Sequence, residues 1–290
     1  MILKRNSVGK EVKQLQQLLG ISDDGIFGKG TENAVKNFQI SVGLKPDGIV
    51  GEKTWSALEN IDTDESYHKE NGLYEKHYLP HGEYSKRKTS KEYIFIHHTA
   101  GWNNPFKTID RWGRDSRGMI ATEFVIGGQN IKKPTELMYD GVIVQAFPTG
   151  HYAWHLGKNG NQRMHTHSVG IELNNFGYIK NGKTYAGQTA SPNQIVELDK
   201  EFKGYKFWHR YSNLQIKSLE NLLKFIGERD SIDIRKGLPA LVKQKGASAF
   251  EFNSDAYYGK VKGIWTHTNT RKDKFDCFPQ QELLDMLVSL

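Results

Sequence analysis

The sequence predicts a mixed α/β domain, with a central mixed sheet flanked by helices, preceded by a small three-helix domain. Three observations predict it. The first 58 residues repeat a turn-and-helix pattern, a polar stretch follows them, and from Tyr93 onward short apolar runs suited to strands alternate with helical periodicity. A length of 290 residues also exceeds the roughly 100–200 residues of one domain. Hydrophobic residues make up 37% and aromatic residues 11%, enough apolar surface for packed cores and too much for a disordered chain.

In the first part, Asp24-Gly25-Ile26-Phe27-Gly28 is followed by Thr31, and Asp47-Gly48-Ile49-Val50-Gly51 by Thr54, an offset of 23 residues. Each copy reads as a tight turn opening a helix, with Asp-Gly supplying the turn and the threonine hydroxyl expected to cap the helix. Val12, Leu15, Leu18 and Leu19 recur at helical spacing, as do Ala34, Val35, Phe38 and Val42, with Gly43 at the C-terminal stop. A third short helix is expected from about Thr54 to Leu58, with Trp55 and Leu58 turned inward. Residues 60–72 are polar, acidic and aperiodic and read as a linker, giving domains at 1–59 and 73–290. The basic run Ser85–Lys91 reads as a solvated loop before a strand.

In the second part, Tyr93–Ile96 is an apolar run suited to a buried strand, Phe106–Arg114 a short helix, and Thr122–Ile126, Gly141–Phe147 and Val169–Leu173 strands. Leu214–Ile226 carries Ile216, Leu219, Leu222, Leu223 and Ile226 on one face, with Ser212 or Asn213 as its cap. Gln280–Leu290 is a last helix. Strand order cannot be read from these patterns.

Composition narrows the function classes. A lone cysteine, Cys277, excludes an internal disulfide and any cysteine-rich zinc module. No run approaches the roughly 18 apolar residues of a membrane span, so membrane insertion is not expected. The opening MILKRNSVGK lacks the apolar core of a secretory signal. Forty basic against 33 acidic residues leave a charge of +7, suited to an anionic partner. No aromatic-basic motif points that charge at nucleic acid.

Several motifs lead nowhere. Gly177 to Thr184 satisfies the phosphate-loop pattern, but no helix-forming stretch follows it, and Asn181-Gly182 reads instead as a hairpin turn. The metalloprotease H-E-x-x-H and the serine-hydrolase G-x-S-x-G are absent. Cys277 has no helix start nearby to activate its thiol. The histidines offer more. His97 and His98 end the apolar strand and place one imidazole on each of its faces. Much later come His267 and then Asp276. Two histidines and a carboxylate make a three-ligand zinc site with an open fourth position, able to activate a water against a carbonyl.

Two resemblances sharpen this reading. The series Gly9, Val12, Leu15-Gln16, Leu19, Asp24–Gly28, Thr31, Ala34-Val35, Phe38-Gln39, Gly43-Leu44, Asp47-Gly48, Gly51, Thr54-Trp55 and Leu58 resembles the peptidoglycan-binding module of wall hydrolases over residues 5–58. The series Ile94–Gly101, Thr122–Ile126, Asp140-Gly141, Ala153–Gly157, Ser168–Leu173, His267 and Lys274–Asp276 resembles the zinc-dependent N-acetylmuramoyl-L-alanine amidases, relatives of the peptidoglycan recognition proteins.

The second resemblance implies a mixed sheet flanked by helices, with zinc in a surface groove. It makes His97, His267 and Asp276 the zinc ligands. Lys274 becomes the residue that stabilises the transition state, and Glu172 the acid that handles the proton of the attacking water. His98 holds the neighbouring, non-ligand position and, with His155, is expected to line the groove beside substrate. Two departures stand out. Cys277-Phe278 replaces the family's Pro-Gly after the third ligand, leaving Cys277 as an alternative to Asp276, and Thr122 stands where some phage members carry tyrosine. Residues 178–212 and 230–262 exceed what the core fold needs.

Together these features imply a monomeric, zinc-dependent amidase that cuts bacterial peptidoglycan between N-acetylmuramic acid and the L-alanine of the stem peptide. The absent export signal implies a phage endolysin, made in the host cytoplasm and acting at the wall after release. A non-catalytic recognition protein and a bacterial autolysin or wall-recycling amidase are the alternatives.

Overall fold

The computed structural model describes residues 2–19, 21, 23–41, 44–60 and 72–290. The expected helix stop at Val42 and Gly43 and nearly all of the expected linker lie outside them. Helices α1 (Lys10–Leu18), α2 (Lys29–Ser41) and α3 (Glu52–Asn60) bury Val12, Leu15, Ala34, Val35, Phe38, Trp55 and Leu58 in one core, joined by Leu3, Phe27 and Val50. Leu137, from a loop of the second part, packs against it.

The 23-residue repeat is a repeat of bonding as well as of sequence. The buried amide nitrogen of Gln16 reaches Asp24 Oδ1 (2.7 Å), the Ile26 carbonyl (3.1 Å) and Thr31 Oγ1 (3.1 Å), while Gly25 N–H donates to Gln16 Oε1 (2.8 Å). Gln39 repeats the set with Asp47 (2.9 Å), Ile49 (2.9 Å), Thr54 (3.2 Å) and Gly48 (2.8 Å). The threonines therefore do not cap their helices as expected. Thr31 and Thr54 lie inside α2 and α3, and their hydroxyls donate back to the Ile26 and Ile49 carbonyls, both at 3.3 Å.

The second part is built on a six-stranded mixed sheet in the order β1-β4-β3-β5-β2-β10. Its strands are β1 (Glu75–Lys76), β2 (Tyr93–His98), β3 (Phe124–Ile126), β4 (Ile143–Gln145), β5 (Ser168–Leu173) and β10 (Gly263–Thr266). Only the β3–β4 pair is antiparallel. The three central strands β3, β5 and β2 are almost wholly buried, as continuous apolar runs in a covered parallel sheet require.

Helix α4 (Pro105–Trp112) starts on Asn104, whose side chain accepts from Lys107 N–H, with Pro105 in the first turn. Between β4 and β5 runs the short α5 (Arg163–Thr166). Helix α6 (Asn213–Asp230) is capped by Ser212, and its predicted apolar face is the buried one. Helix α10 (Gln281–Ser289) closes the chain with Leu283, Leu284, Met286 and Leu287 buried. No described helix is long and apolar enough to cross a membrane.

Both extra segments acquire structure. Residues 178–209 form a second, antiparallel sheet from β6 (Tyr178–Lys180), β7 (Lys183–Thr184), β8 (Ile195–Phe202) and β9 (Tyr205–His209). The phosphate-loop match is its first hairpin. Lys180 pairs with Lys183, and Asn181 and Gly182 take φ of 52° and 71°, the left-handed turn expected of Asn-Gly. Trp208 of β9 is fully buried and stacks on Phe278 at 4.5 Å. Residues 238–257 carry α7 (Leu238–Lys245) and α8 (Ser254–Tyr257), which add Leu238, Val242 and Ala256 to the main core, and the 3-10 turn Gly246–Phe250 between them adds Phe250.

One expectation for the basic run fails. Lys91 is only 5% exposed, and its ammonium donates to Thr89 Oγ1 (3.1 Å) and to the carbonyls of His151 (2.8 Å) and Thr166 (3.1 Å). Burial pulls its pKa down to about 8. The aliphatic stem of a lysine lets it enter the core where three acceptors replace water.

Candidate metal centre

Three side chains from three separate segments meet at the ends of β2 and β10. His97 is the penultimate residue of β2. His267 directly follows β10 and opens the single-turn α9 (His267–Thr270), and Asp276 lies in the loop leading to α10. His97 Nδ1 and His267 Nδ1 are 3.2 Å apart, and Asp276 Oδ2 is 3.1 Å from the first and 3.0 Å from the second. Among the described residues this is the one group of histidine and carboxylate atoms close enough to hold a metal.

The donor set fits zinc. With Zn–N and Zn–O distances of about 2.0–2.1 Å, the ligand atoms of a tetrahedral site stand roughly 3.3 Å apart, close to the triangle observed. Three lone pairs aimed at one point repel unless a cation lies between them. The tautomers also agree. His267 Nε2 is 3.1 Å from the Leu156 carbonyl, which can only accept, so Nε2 carries the proton and Nδ1 presents its lone pair. His97 Nε2 is 3.0 Å from His155 Nδ1, and His155 Nε2 is 2.8 Å from Ser168 Oγ. Protons on both Nε2 atoms satisfy this chain and leave His97 Nδ1 free as well.

Burial tunes the charges in the same sense. It pushes His97 down to about 4, with His267 adding to the effect and Asp276 opposing it. His155 is held well below the ordinary histidine value, first by burial and then by His97. Burial alone would raise the Asp276 carboxyl, but His267 and His97 hold it well below the usual carboxylate range. The cluster thus presents a neutral His97 imidazole and an ionised Asp276 carboxylate, forms that bind a metal.

Glu172 stands on β5 directly beside His97 on β2, in register, so both side chains leave the same face of the sheet. Burial raises its carboxyl well above the ordinary value, Asp276 raises it further, and Lys274 opposes. Lys274 is half-buried and forms no ion pair among the described residues, and its charge is felt at both Glu172 and His97.

His155 lies on the same face, over Gly170. A Cβ at Gly170 would come within 2.8 Å of Thr122 and 3.2 Å of the His155 ring, so glycine makes the room that this imidazole occupies. Thr122 supplies nothing to the centre, since its hydroxyl donates to the Phe124 carbonyl at 2.9 Å.

His98 departs from expectation. It leaves the opposite face of β2, is 8% exposed, and packs among Trp208, Tyr211 and Phe278 with Nδ1 2.7 Å from the Tyr211 hydroxyl. The alternation of a strand sends one of two adjacent histidines to the centre and buries the other, so His98 lines the core and not the groove. Cys277 is likewise fully buried, and burial pushes its thiol pKa well above the ordinary value.

Sequence reasoning assigned no role to Ser168, Leu156 or Gly170, which hold the two imidazoles. Their only signal was position, within the stretches around His155 and Glu172.

Residues 8–58 match a peptidoglycan binding domain and residues 87–273 match N-acetylmuramoyl-L-alanine amidase. No curated protein matches the chain. Among solved structures, it is similar to a fused Zn-dependent amidase/peptidase/peptidoglycan-binding protein from Clostridium acetobutylicum. That match has 35% identity over 20% of this chain and 28% of the other, with a TM-score of 0.20. PlyL is 13% identical over 70% of this chain and 85% of its own, with a TM-score of 0.40. AmiD from E. coli, solved with anhydro-N-acetylmuramic acid-L-Ala-D-γ-Glu-L-Lys, is 21% identical over 52% and 48%, with a TM-score of 0.32. With an amidase match over most of its length and a histidine-carboxylate centre at the ends of β2 and β10, the chain belongs to the N-acetylmuramoyl-L-alanine amidase family of peptidoglycan hydrolases.

Proposed function

We propose that the chain is a zinc-dependent hydrolase of the amide between N-acetylmuramic acid and L-alanine, delivered to its substrate by residues 1–59 and carrying its chemistry in residues 73–290. The observation that carries this reading is the triangle of His97 Nδ1, His267 Nδ1 and Asp276 Oδ2, with sides of 3.0–3.2 Å, facing the same side of the sheet as Glu172. These three atoms would hold zinc. When bound, zinc polarises the scissile carbonyl and lowers the pKa of a coordinated water to about 7.

The chain's own groups supply the rest. The Glu172 carboxylate takes a proton from the attacking water and returns it to the leaving amine nitrogen. A carboxyl shifted toward neutrality by burial suits both transfers. The Lys274 ammonium, which forms no ion pair among the described residues, balances the charge that develops on the carbonyl oxygen. His155 and the Leu156 carbonyl fix the two imidazoles, so little reorganisation accompanies the reaction. The pairing of a wall-binding unit with a wall-cutting unit supports an endolysin role, with the protein acting on peptidoglycan as a monomer.

Digestion of purified wall tests the reading. Chelation should abolish cleavage and added zinc restore it, with new free amino groups on alanine and no new reducing sugar ends. New reducing ends without alanine amines would mean a glycosidase.

A further inference from the structure

The loop that carries Asp276 is fastened on both sides. Behind, the Asp276 carbonyl accepts from Thr268 N–H at 3.1 Å, which ties the loop to α9 and so to His267. Ahead, Cys277, Phe278 and Gln280 are each fully buried. Each of them meets residues 208–211, where the extra segment ends. The Phe278 ring stacks on Trp208 at 4.5 Å and on Tyr211 at 4.4 Å. The Gln280 side chain pairs with the Tyr211 backbone at two points, accepting from its N–H at 2.8 Å and donating to its carbonyl at 2.9 Å. Asn175, just past β5, fixes this segment in turn by donating to the His209 carbonyl (2.8 Å) and the Arg210 carbonyl (3.2 Å).

Stacking accounts for the Tyr211 ring but not for its hydroxyl. That hydroxyl lies 2.7 Å from His98 Nδ1 and also hydrogen-bonds the Cys277 thiol. His98 follows His97 along β2, and Cys277 follows Asp276. Two chain segments therefore meet twice. Their ligands meet at the metal centre, 3.1 Å apart, and the next residue of each meets its counterpart through Tyr211. The second meeting fixes the first. Proline would stiffen this loop through its own ring, whereas Cys277-Phe278 are stiffened only by what they touch.

We propose that Tyr211 is a positioning residue for the metal centre, its hydroxyl bridging His98 and Cys277 so that Asp276 stands ready beside His97 and His267. A donor already in place binds a metal more tightly than one that must be ordered on binding. The proposal rests on the zinc reading of the centre and not on the substrate. It gives residues 178–212 a purpose, since this segment brings Tyr211 to the back of the ligand loop.

Zinc affinity of the full chain, read by competition against a calibrated chelator, tests it. Tyr211→Phe keeps the stack on Phe278 and removes the bridge. Cys277→Ala removes the bridge from its other end, whereas Cys277→Ser keeps a group that the tyrosine hydroxyl can bond. Tyr211→Phe and Cys277→Ala should each weaken zinc binding by about tenfold, and Cys277→Ser should stay within about twofold of the parent. The double variant Tyr211→Phe/Cys277→Ala should bind no more weakly than either single one, because both break one link. Ile226→Val, which trims the same core on α6, should lower the melting temperature and leave zinc affinity unchanged, separating lost packing from lost position. Parental affinity in Tyr211→Phe and Cys277→Ala, or additive losses in the double variant, overturns the proposal. Should Tyr211→Phe fail to fold, equal affinity of Cys277→Ala and Cys277→Ser overturns it. A parent chain that binds no zinc removes the metal reading together with this one. A parent that binds zinc but leaves wall uncut removes the amidase reading, and the variants still decide the role of Tyr211.

Discussion

His97 and His155 are linked ring to ring, Nε2 to Nδ1 at 3.0 Å, and His155 passes the link on to Ser168 Oγ at 2.8 Å. The chain orients a metal-facing imidazole from behind. His155→Gln should therefore weaken zinc affinity by about 10- to 100-fold. Competition against a calibrated chelator measures it. A full-affinity variant would separate His155 from the metal site.

Glu172→Gln keeps the shape of the side chain and removes its ability to take a proton. Turnover should fall by about 10²-fold or more with one zinc per chain retained. Because burial raises the Glu172 carboxyl, the acid limb of the kcat/KM profile should lie above the ordinary glutamate range and vanish in the variant. Near-normal turnover in zinc-loaded Glu172→Gln would exclude it from proton transfer.

Asp276 and Cys277 part company. One is within 3.1 Å of both imidazoles, and the other is fully buried. Asp276→Ala should lose zinc and nearly all activity, whereas Cys277→Ser should keep both with a modest drop in melting temperature. Metal analysis of the two purified proteins decides it, and the reverse pattern would move the ligand one residue along.

Asp140 is buried and accepts a hydrogen bond from Ser212, the cap of α6. Burial pushes its pKa from 3.8 to about 7. A carboxyl raised by folding holds a proton that the unfolded chain releases. Its contribution is full below about pH 4 and is lost as pH rises through about 7. Asp140→Asn should flatten that decline in the pH dependence of thermal unfolding. An unchanged slope would show that Asp140 titrates normally.

Gln16 and Gln39 each tie a turn to a helix through a buried amide. Replacing either by alanine strands several polar partners and should destabilise the first part by about 1–3 kcal/mol. Hydrogen exchange over residues 3–58 should report faster opening, with residues 93–98 unaffected. Equal acceleration in both parts would mean that they unfold as one unit.

The local features were readable from the sequence because they depend on neighbours along the chain. Helical periodicity placed the buried face of α6, Asn-Gly placed the hairpin at 181–182, and strand alternation separated His97 from His98. The tertiary structure decided everything that depends on pairing between distant segments. Parallel register set Glu172 beside His97, the fold-back of residues 267–276 brought in the remaining donors, and Gly170 opened room for His155. The same holds for the misjudged residues. Lys91 found two carbonyls from distant segments beside the nearby Thr89 hydroxyl, and Thr31 turned from its helix end to a buried glutamine. A polar side chain takes whichever partner replaces the water lost on burial, and only the folded chain determines which partners are within reach.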